Sequence, residues 1–234
     1  MGGFANNAPI VTDGLIFYVD AGNNNSYPGN GNTWTDLISG NANLSSNYPT
    51  YNSSNEGYFG YDGTNDSHDW SANQTYTGTL TYSVWAKWPS TSSAYKAMFT
   101  TGVDGISANE AGATQFGRSS SSSNNSFYVS VGTDGSSNVT HTFTVSSSYL
   151  NKWTNWVVVV KSGNYKVYAD ENLLLDSASG NASTFSSTYK FKIAENRNDS
   201  AWADIDAACA MIHTKELSSA EITQNYNALK NRFV

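Results

Sequence analysis

The chain has 234 residues, of which 38% are hydrophobic, 14% aromatic and 13% charged, and its formal net charge is −7. This aromatic content excludes an intrinsically disordered chain, and the acidic balance disfavours nucleic acids and anionic membrane surfaces, which attract clusters of Lys and Arg. From this charge we expect no nucleic-acid partner. Since no apolar run approaches the roughly 20 residues that span a bilayer, we also expect no membrane insertion.

Apolar and polar residues alternate with a period of two along most of the chain, which predicts β-strands. One-sided strands of this kind belong to antiparallel sheets with one face toward water. Turn-forming pairs such as Asp62-Gly63 and Asp134-Gly135 separate the segments. The sequence therefore predicts an all-β fold with two antiparallel sheets packed in one domain. In chain order, the main alternating segments are 15–19, 79–88, 126–131, 139–145 and 189–193.

One short helix is predicted at the C-terminus. Ser218 and Glu221 have the spacing of a capping box, in which each residue satisfies a backbone N–H at the start of a helix. We expect the helix to cover one edge or end of the sandwich, and the alternative is a helix that binds a partner. Its apolar residues at helical spacing are Ile222, Tyr226, Leu229 and Phe233.

The sequence lacks the patterns of several enzyme classes. It contains neither a phosphate-binding G-x-x-x-x-G-K-[ST] loop nor a G-x-S-x-G nucleophile elbow. Its three histidines are isolated from one another, and a single cysteine leaves no zinc-ligand spacing. We interpret His141 and His213 as structural residues, and Cys209 as a small buried hydrophobe rather than a reactive thiol.

Blocks of sequence from Gly14 to Phe233 resemble the laminin G-like domains of the concanavalin A-like lectin/glucanase superfamily, as found in phage structural and bacterial surface proteins. The resemblance implies a jelly-roll β-sandwich of two antiparallel sheets with one short C-terminal helix. The predicted domain covers 14–234, with 1–13 as an N-terminal extension. The matching blocks are 14–22, 26–29, 33–37, 61–66, 83–87 and the closing segment 215–233.

The glucanases of this superfamily carry an E-x-D-x-E motif on one strand, and retaining hydrolysis needs two carboxylates about 5 Å apart. The nearest match here is 204–208, in which the first acid is shortened to Asp204, Asp206 is kept and the last acid is replaced by Ala208. We therefore predict that the protein is not an enzyme. The small residues around Ala208 also predict that the helix or a neighbouring subunit packs closely over this strand.

Similarity to pentraxin-like relatives implies a calcium site. The matching positions are Asn65 and Asp66, together with Glu195 and Asp199 in the later acidic loop. Oxygen ligands from such side chains suit Ca²⁺, which takes six to eight of them. The alternative is that both segments are solvated turns, and Arg197 within the loop weakens the case for a metal.

Aromatic residues in or near loops are candidates for a sugar-binding platform, because rings pack on pyranose faces. The predicted ligand-binding residues are Trp34, Trp70 and Trp202. The alternative, in a chain with 7 Trp and 15 Tyr, is that such residues plug the ends of the sandwich.

These features predict a non-enzymatic virion structural or decoration protein of a phage, a capsid appendage that contacts host or environmental glycans. Its expected partners are capsid or other virion proteins, with homo-oligomeric or symmetric attachment to the particle. No secretory signal is visible at the N-terminus, so we expect synthesis in the host cytoplasm and a location on the virion surface. The alternative is a stand-alone, calcium-dependent, carbohydrate-binding lectin-like module.

Overall fold

The fold was analysed in a computed structural model that describes residues 9–44, 47–72, 78–89, 95–102, 113–119, 125–132, 137–161, 164–177, 189–196 and 200–233. The strands are β1 (Leu15–Asp20), β2 (Thr50–Asn52), β3 (Tyr58–Asp62), β4 (His68–Ala72), β5 (Leu80–Lys87), β6 (Ala97–Gly102), β7 (Thr114–Arg118), β8 (Ser126–Gly132), β9 (Asn138–Thr144), β10 (Trp153–Lys161), β11 (Asn164–Ala169), β12 (Asn172–Ser177), β13 (Tyr189–Ile193) and β14 (Asp204–His213). One helix, α1 (Ser219–Leu229), follows them.

The strands form two antiparallel sheets. The larger, eight-stranded sheet has the order β12-β11-β10-β5-β14-β3-β2, with β1 also paired to β14, and the smaller, six-stranded sheet has the order β4-β13-β6-β7-β8-β9. Strand β14 changes its neighbour along its length, because residues 204–207 pair with β3 and residues 209–213 pair with β1. The predicted all-β jelly-roll sandwich with one short C-terminal helix is confirmed.

The core lies between the sheets and is rich in aromatic side chains. The predicted inner face of β5 is confirmed, since alternate residues from Leu80 to Trp88 are buried there. The inner face of β8 is likewise as predicted, with Phe127, Val129 and Val131 in the same cluster. On these two strands, alternation was therefore sufficient to identify which residues face the interior. On β1 it was not, because a register shift after Leu15 places that residue in the outer cluster with Trp85.

Helix α1 covers part of the outer face of the larger sheet. The predicted close packing over the small residues of β14 is confirmed, with the helix as the packing element, whereas the predicted position at an edge or an end of the sandwich is wrong. Its capping box between Ser218 and Glu221 is formed as expected. Ile222 packs with Val157 and Val159 of β10, and Leu229 packs in a second cluster with the β5 and β14 residues Trp85, Cys209 and Met211. The expectation of a wet face is consequently wrong for this part of the sheet, because the helix supplies a second apolar layer.

The segment before β1 joins the same layer. The backbone N–H of Val11 donates to Oδ1 of Asn225 on the helix at 2.7 Å, and Nε2 of His213 lies 2.9 Å from the carbonyl oxygen of Val11. His213 is thus a structural residue, as predicted, and Cys209 is buried as predicted. Among the described residues, no helix is long and apolar enough to cross a membrane.

Candidate functional site

Two of the predicted ligand-binding tryptophans lie inside the sandwich. Trp34 and Trp70 are 0% and 2% exposed, and the indole N–H of Trp70 donates to the carbonyl oxygen of Trp34 at 2.9 Å. Neither ring presents a face on which a sugar could pack, so the structure assigns both to the core. Trp202 is half-buried and forms a backbone bridge with Glu195, and a binding role for it stays a prediction.

Within the described residues, the predicted calcium ligands do not form a metal-binding cluster. The Glu195 carboxylate lies 3.8 Å from the Lys192 ammonium, and both side chains are about nine-tenths buried. Asn65 is exposed, while Oδ2 of Asp66 accepts a hydrogen bond from the N–H of Asp62 at 3.3 Å. In the part of the chain that the structure describes, no group of three or more His, Cys, Asp or Glu residues could hold a metal ion. Asp199 lies outside that part, and calcium binding stays a prediction.

Helix α1 leaves the other half of the outer face of the larger sheet uncovered. We call this uncovered half the open face. The pairing register places Gly60 of β3 opposite Asp206 of β14, Asp206 opposite Lys87 of β5, and Lys87 opposite Trp153 of β10. These four residues form one row across four strands, which at the usual strand spacing of about 4.8 Å extends over roughly 14 Å. The chain neighbours of Gly60, Lys87 and Asp206 belong to the core between the sheets, so the row itself faces outward.

The centre of the row is an ion pair that remains accessible. Nζ of Lys87 lies 3.6 Å from Oδ2 of Asp206, and the two side chains are 41% and 27% exposed. Partial burial raises the pKa of Asp206, and the ammonium of Lys87 opposes this effect. A Cβ atom on Gly60 would lie 3.3 Å from Oδ1 of Asp206, so the glycine makes room for the carboxylate of the pair.

One end of the row is aromatic. The Trp153 ring contacts Phe233 at a centroid distance of 4.9 Å and Tyr58 at 5.2 Å, the latter edge to face. Tyr58 and Trp153 come from strands separated by two others, so their rings meet across β5 and β14. Trp153, Tyr58 and Phe233 are all half-buried, so they combine ring surface with a rigid setting.

This arrangement is suited to binding and not to acid–base hydrolysis. Asp204 and Asp206 both face outward on β14, but Asp206 is paired with an ammonium and the third acid position, Ala208, lies at a bulge in the strand. An aromatic ring beside a fixed donor–acceptor pair instead offers stacking and directed hydrogen bonds. Tyr58, Lys87 and Trp153 could not be singled out from the sequence, because only the register of four strands brings them together.

The chain was compared with protein families and curated proteins. The laminin G-type family model described as "Concanavalin A-like lectin/glucanases superfamily" matches residues 59–223, about seven-tenths of the chain. No curated protein matches the sequence at a significant level.

Solved structures share the fold at low identity. The botulinum neurotoxin serotype G binding domain superposes with a TM-score of 0.67 at 14% identity, covering 91% of this chain and 50% of that one. The serotype D ligand-binding domain in complex with N-acetylneuraminic acid gives a TM-score of 0.66 at 16% identity, covering 92% and 50%. A Trypanosoma rangeli sialidase in complex with 2,3-difluorosialic acid gives 0.64 at 14% identity, covering 95% and 34%. The chain thus spans half or less of each of these proteins.

Proposed function

The chain belongs to the concanavalin A-like lectin/glucanase superfamily, and from this premise we propose that it is a non-enzymatic glycan-binding domain displayed on the surface of a phage virion. The observation that carries the binding proposal is the open face, where the Trp153 ring adjoins the Lys87–Asp206 pair in one outward row. Two of the similar structures are binding domains by name, which supports the same class of function.

The charge of the open face selects among glycans. Asp62, Asp204 and Asp206 face outward close to one another, with Lys87 as the cation of the row, and the whole chain carries a net charge of −7. Sialic acid is an anion, and like charges would repel it. We therefore expect neutral hexose or N-acetylhexosamine glycans, not sialylated ones, to be the ligands.

The binding proposal is tested on a glycan array and by affinity electrophoresis in gels that contain neutral polysaccharides. Trp153→Ala removes the ring and is expected to weaken binding by about tenfold, which corresponds to about 1.4 kcal/mol. Tyr48→Ala is the matched control, since Tyr48 is an aromatic residue that is 40% exposed outside the open face. Melting curves confirm that each variant is folded.

Unchanged binding by the Trp153→Ala protein would overturn the assignment to the open face. Loss of binding in Trp202→Ala alone would transfer the site to the tryptophan predicted from the sequence. Repeating the array with EGTA tests the calcium prediction, because a calcium-dependent lectin loses its binding when the metal is removed.

The absence of catalysis is a separate part of the proposal. It is supported by the replacement of the third acid by Ala208 and by the pairing of Asp206 with Lys87. Incubation with any polysaccharide that binds is expected to release no reducing sugar. Release that disappears in Asp206→Asn would contradict the proposal.

Display on a virion is tested with purified particles. The protein is expected in the proteome of the particle and in its sedimenting fraction. If the protein binds glycans but is absent from particles, the stand-alone lectin-like module is the correct alternative.

A further inference from the structure

A pocket of about 570 Å³ lies beside the C-terminal end of helix α1, outside the row that defines the open face. Three segments form it: the loop after β1, the turn 54–56 and the residues that follow the helix. Its polar lining residues are Asp20, Asn23, Asn24, Glu56, Asn231 and Arg232. Its volume lies within the range of about 300–1,000 Å³ that is usual for small-molecule sites.

The floor of the pocket is a fixed and neutralised ion pair. Nη1 of Arg232 donates to both carboxylate oxygens of Asp20 at 2.8 and 2.9 Å, and both side chains are about nine-tenths buried. Oδ2 of Asp20 also accepts from the Tyr18 hydroxyl at 3.0 Å. A Cβ atom on Gly22 would lie 2.5 Å from Nη2 of Arg232, so only glycine permits this close approach.

The turn that contributes Glu56 to the pocket has two consecutive residues in the left-handed region. Asn55 and Glu56 have φ values of 52° and 62°, a conformation that is costly for residues with side chains and persists only where the surroundings enforce it. Arg232 supplies that enforcement, since its carbonyl oxygen accepts from Nδ2 of Asn55 at 2.7 Å and its Nη2 donates to the carbonyl oxygen of Gly57 at 3.3 Å. The strained turn places the backbone and side chain of Glu56 at the pocket.

The chemistry of the lining specifies the class of ligand. The guanidinium of Arg232 is paired with the carboxylates of Asp20 and Glu56 and donates to backbone carbonyl groups, and both carboxylates line the pocket. A phosphate or carboxylate ligand would therefore find no free cation there. The amides of Asn23, Asn24 and Asn231 can each donate and accept hydrogen bonds, as the hydroxyl groups of a sugar require. We propose that the pocket is a second binding site, for a neutral polyhydroxylated ligand of one or two sugar units.

The test uses the full ¹⁵N-labelled chain and two-dimensional NMR, with methyl α-D-glucopyranoside, methyl β-D-galactopyranoside and inorganic phosphate as probes. A glycoside is expected to shift the backbone signals of Gly22, Asn24, Glu56 and Asn231, whereas phosphate is not. Asn24→Ala and Asn231→Ala change exposed residues of the lining and should each weaken binding by about fivefold, the effect of losing one or two hydrogen bonds. The matched control is Asn25→Ala, an exposed neighbour that does not line the pocket.

The outcomes separate this site from the open face. Lys87→Gln changes the open face at a side chain that is paired with Asp206 and is expected to leave the shifts at the pocket unchanged, so failure of the proposed glycan function would not remove this result. The proposal is overturned if neither glycoside shifts these signals, if phosphate shifts them instead, or if Asn25→Ala weakens binding as much as the two lining variants.

Discussion

The two halves of the outer face of the larger sheet are built from the same strands but differ in what lies over them. On β14, Asp204 and Asp206 face outward before the bulge at Ala208, and Cys209 and Met211 face outward after it. Helix α1 seals the second half, where Cys209 and Met211 are 1% and 0% exposed. One sheet can thus supply packing at one end and recognition at the other, because the outward residues of β14 change from polar to apolar at the bulge.

Phe233 marks the boundary between the halves. Its ring stacks on the fully buried Trp85 at a centroid distance of 4.6 Å and also contacts the half-buried Trp153 at 4.9 Å. The two tryptophans, on adjacent strands, therefore share a neighbour but differ in burial. The comparison predicts that the half covered by helix α1 is needed for stability and that the open face is needed for binding.

The sharpest test of this contrast is the pair Trp85→Ala and Trp153→Ala. Trp85 is 0% exposed and stacks on both Tyr226 and Phe233, so its truncation leaves a cavity and should lower the free energy of unfolding by about 3–5 kcal/mol. Trp153→Ala should cost clearly less, because part of that ring already faces water. Urea denaturation measures both. Equal losses, or a larger loss for Trp153→Ala, would remove the distinction between the halves.

The sequence predicts those features that depend on residues close together in the chain, and it does not predict those that depend on contacts between distant residues. The inner faces of β5 and β8 and the capping box at Ser218 follow from local spacing, and all were predicted. The placement of Trp34 and Trp70 was not, since a loop position does not reveal whether a ring turns inward.

The open face was beyond the reach of the sequence for a related reason. Gly60, Lys87, Trp153 and Asp206 are 27, 66 and 53 positions apart in the chain, and only the pairing of four strands brings them into one row. The half under helix α1 was predicted only in part. The small residues of β14 indicated close packing over that strand, but alternation on a single strand such as β5 cannot show that a helix lies over its polar side. Ser83, for example, is 1% exposed although it lies on the face predicted to be wet.

A change of pH is expected to have an intermediate effect on the free energy of unfolding, through Glu221 in the first turn of helix α1. Hydrogen bonds from Lys215 and from Ser218 lower the pKa of Glu221 from 4.5 to about 2. The unfolded chain therefore binds this proton more readily than the folded one. The contribution of Glu221 to stability is complete above about pH 4.5 and is lost as the pH falls toward 2. Because about a quarter of the Glu221 side chain is exposed, solvent screening keeps the effect modest.

The variant Glu221→Gln isolates this contribution, since it keeps an oxygen acceptor for the cap but removes the charge. Its free energy of unfolding should fall less than that of the wild type between pH 4.5 and 2. Glu171→Gln, at an exposed glutamate in the turn between β11 and β12, shows the effect of removing a carboxylate elsewhere. Identical pH profiles for Glu221→Gln and the wild type would mean that the helix cap does not depend on this charge.

The smallest effect is expected on the open half, where the sheet carries a repulsive pair. Asp62 on β3 lies directly opposite Asp204 on β14, and both side chains are exposed. Like charges at opposed positions of an antiparallel pair destabilise a sheet, so Asp204→Asn should raise the free energy of unfolding by about 0.2–1 kcal/mol. The gain should shrink in 1 M salt, where the Debye length is about 3 Å. Asp62→Asn should give a similar gain, since its Oδ1 can still accept from the N–H of Thr64, and the double variant should gain little beyond either single one. A loss of stability on Asp204→Asn, or a gain that does not respond to salt, would contradict this prediction. Asp204 would then contribute to the stability of the fold, and packing and recognition would not be fully separated along β14.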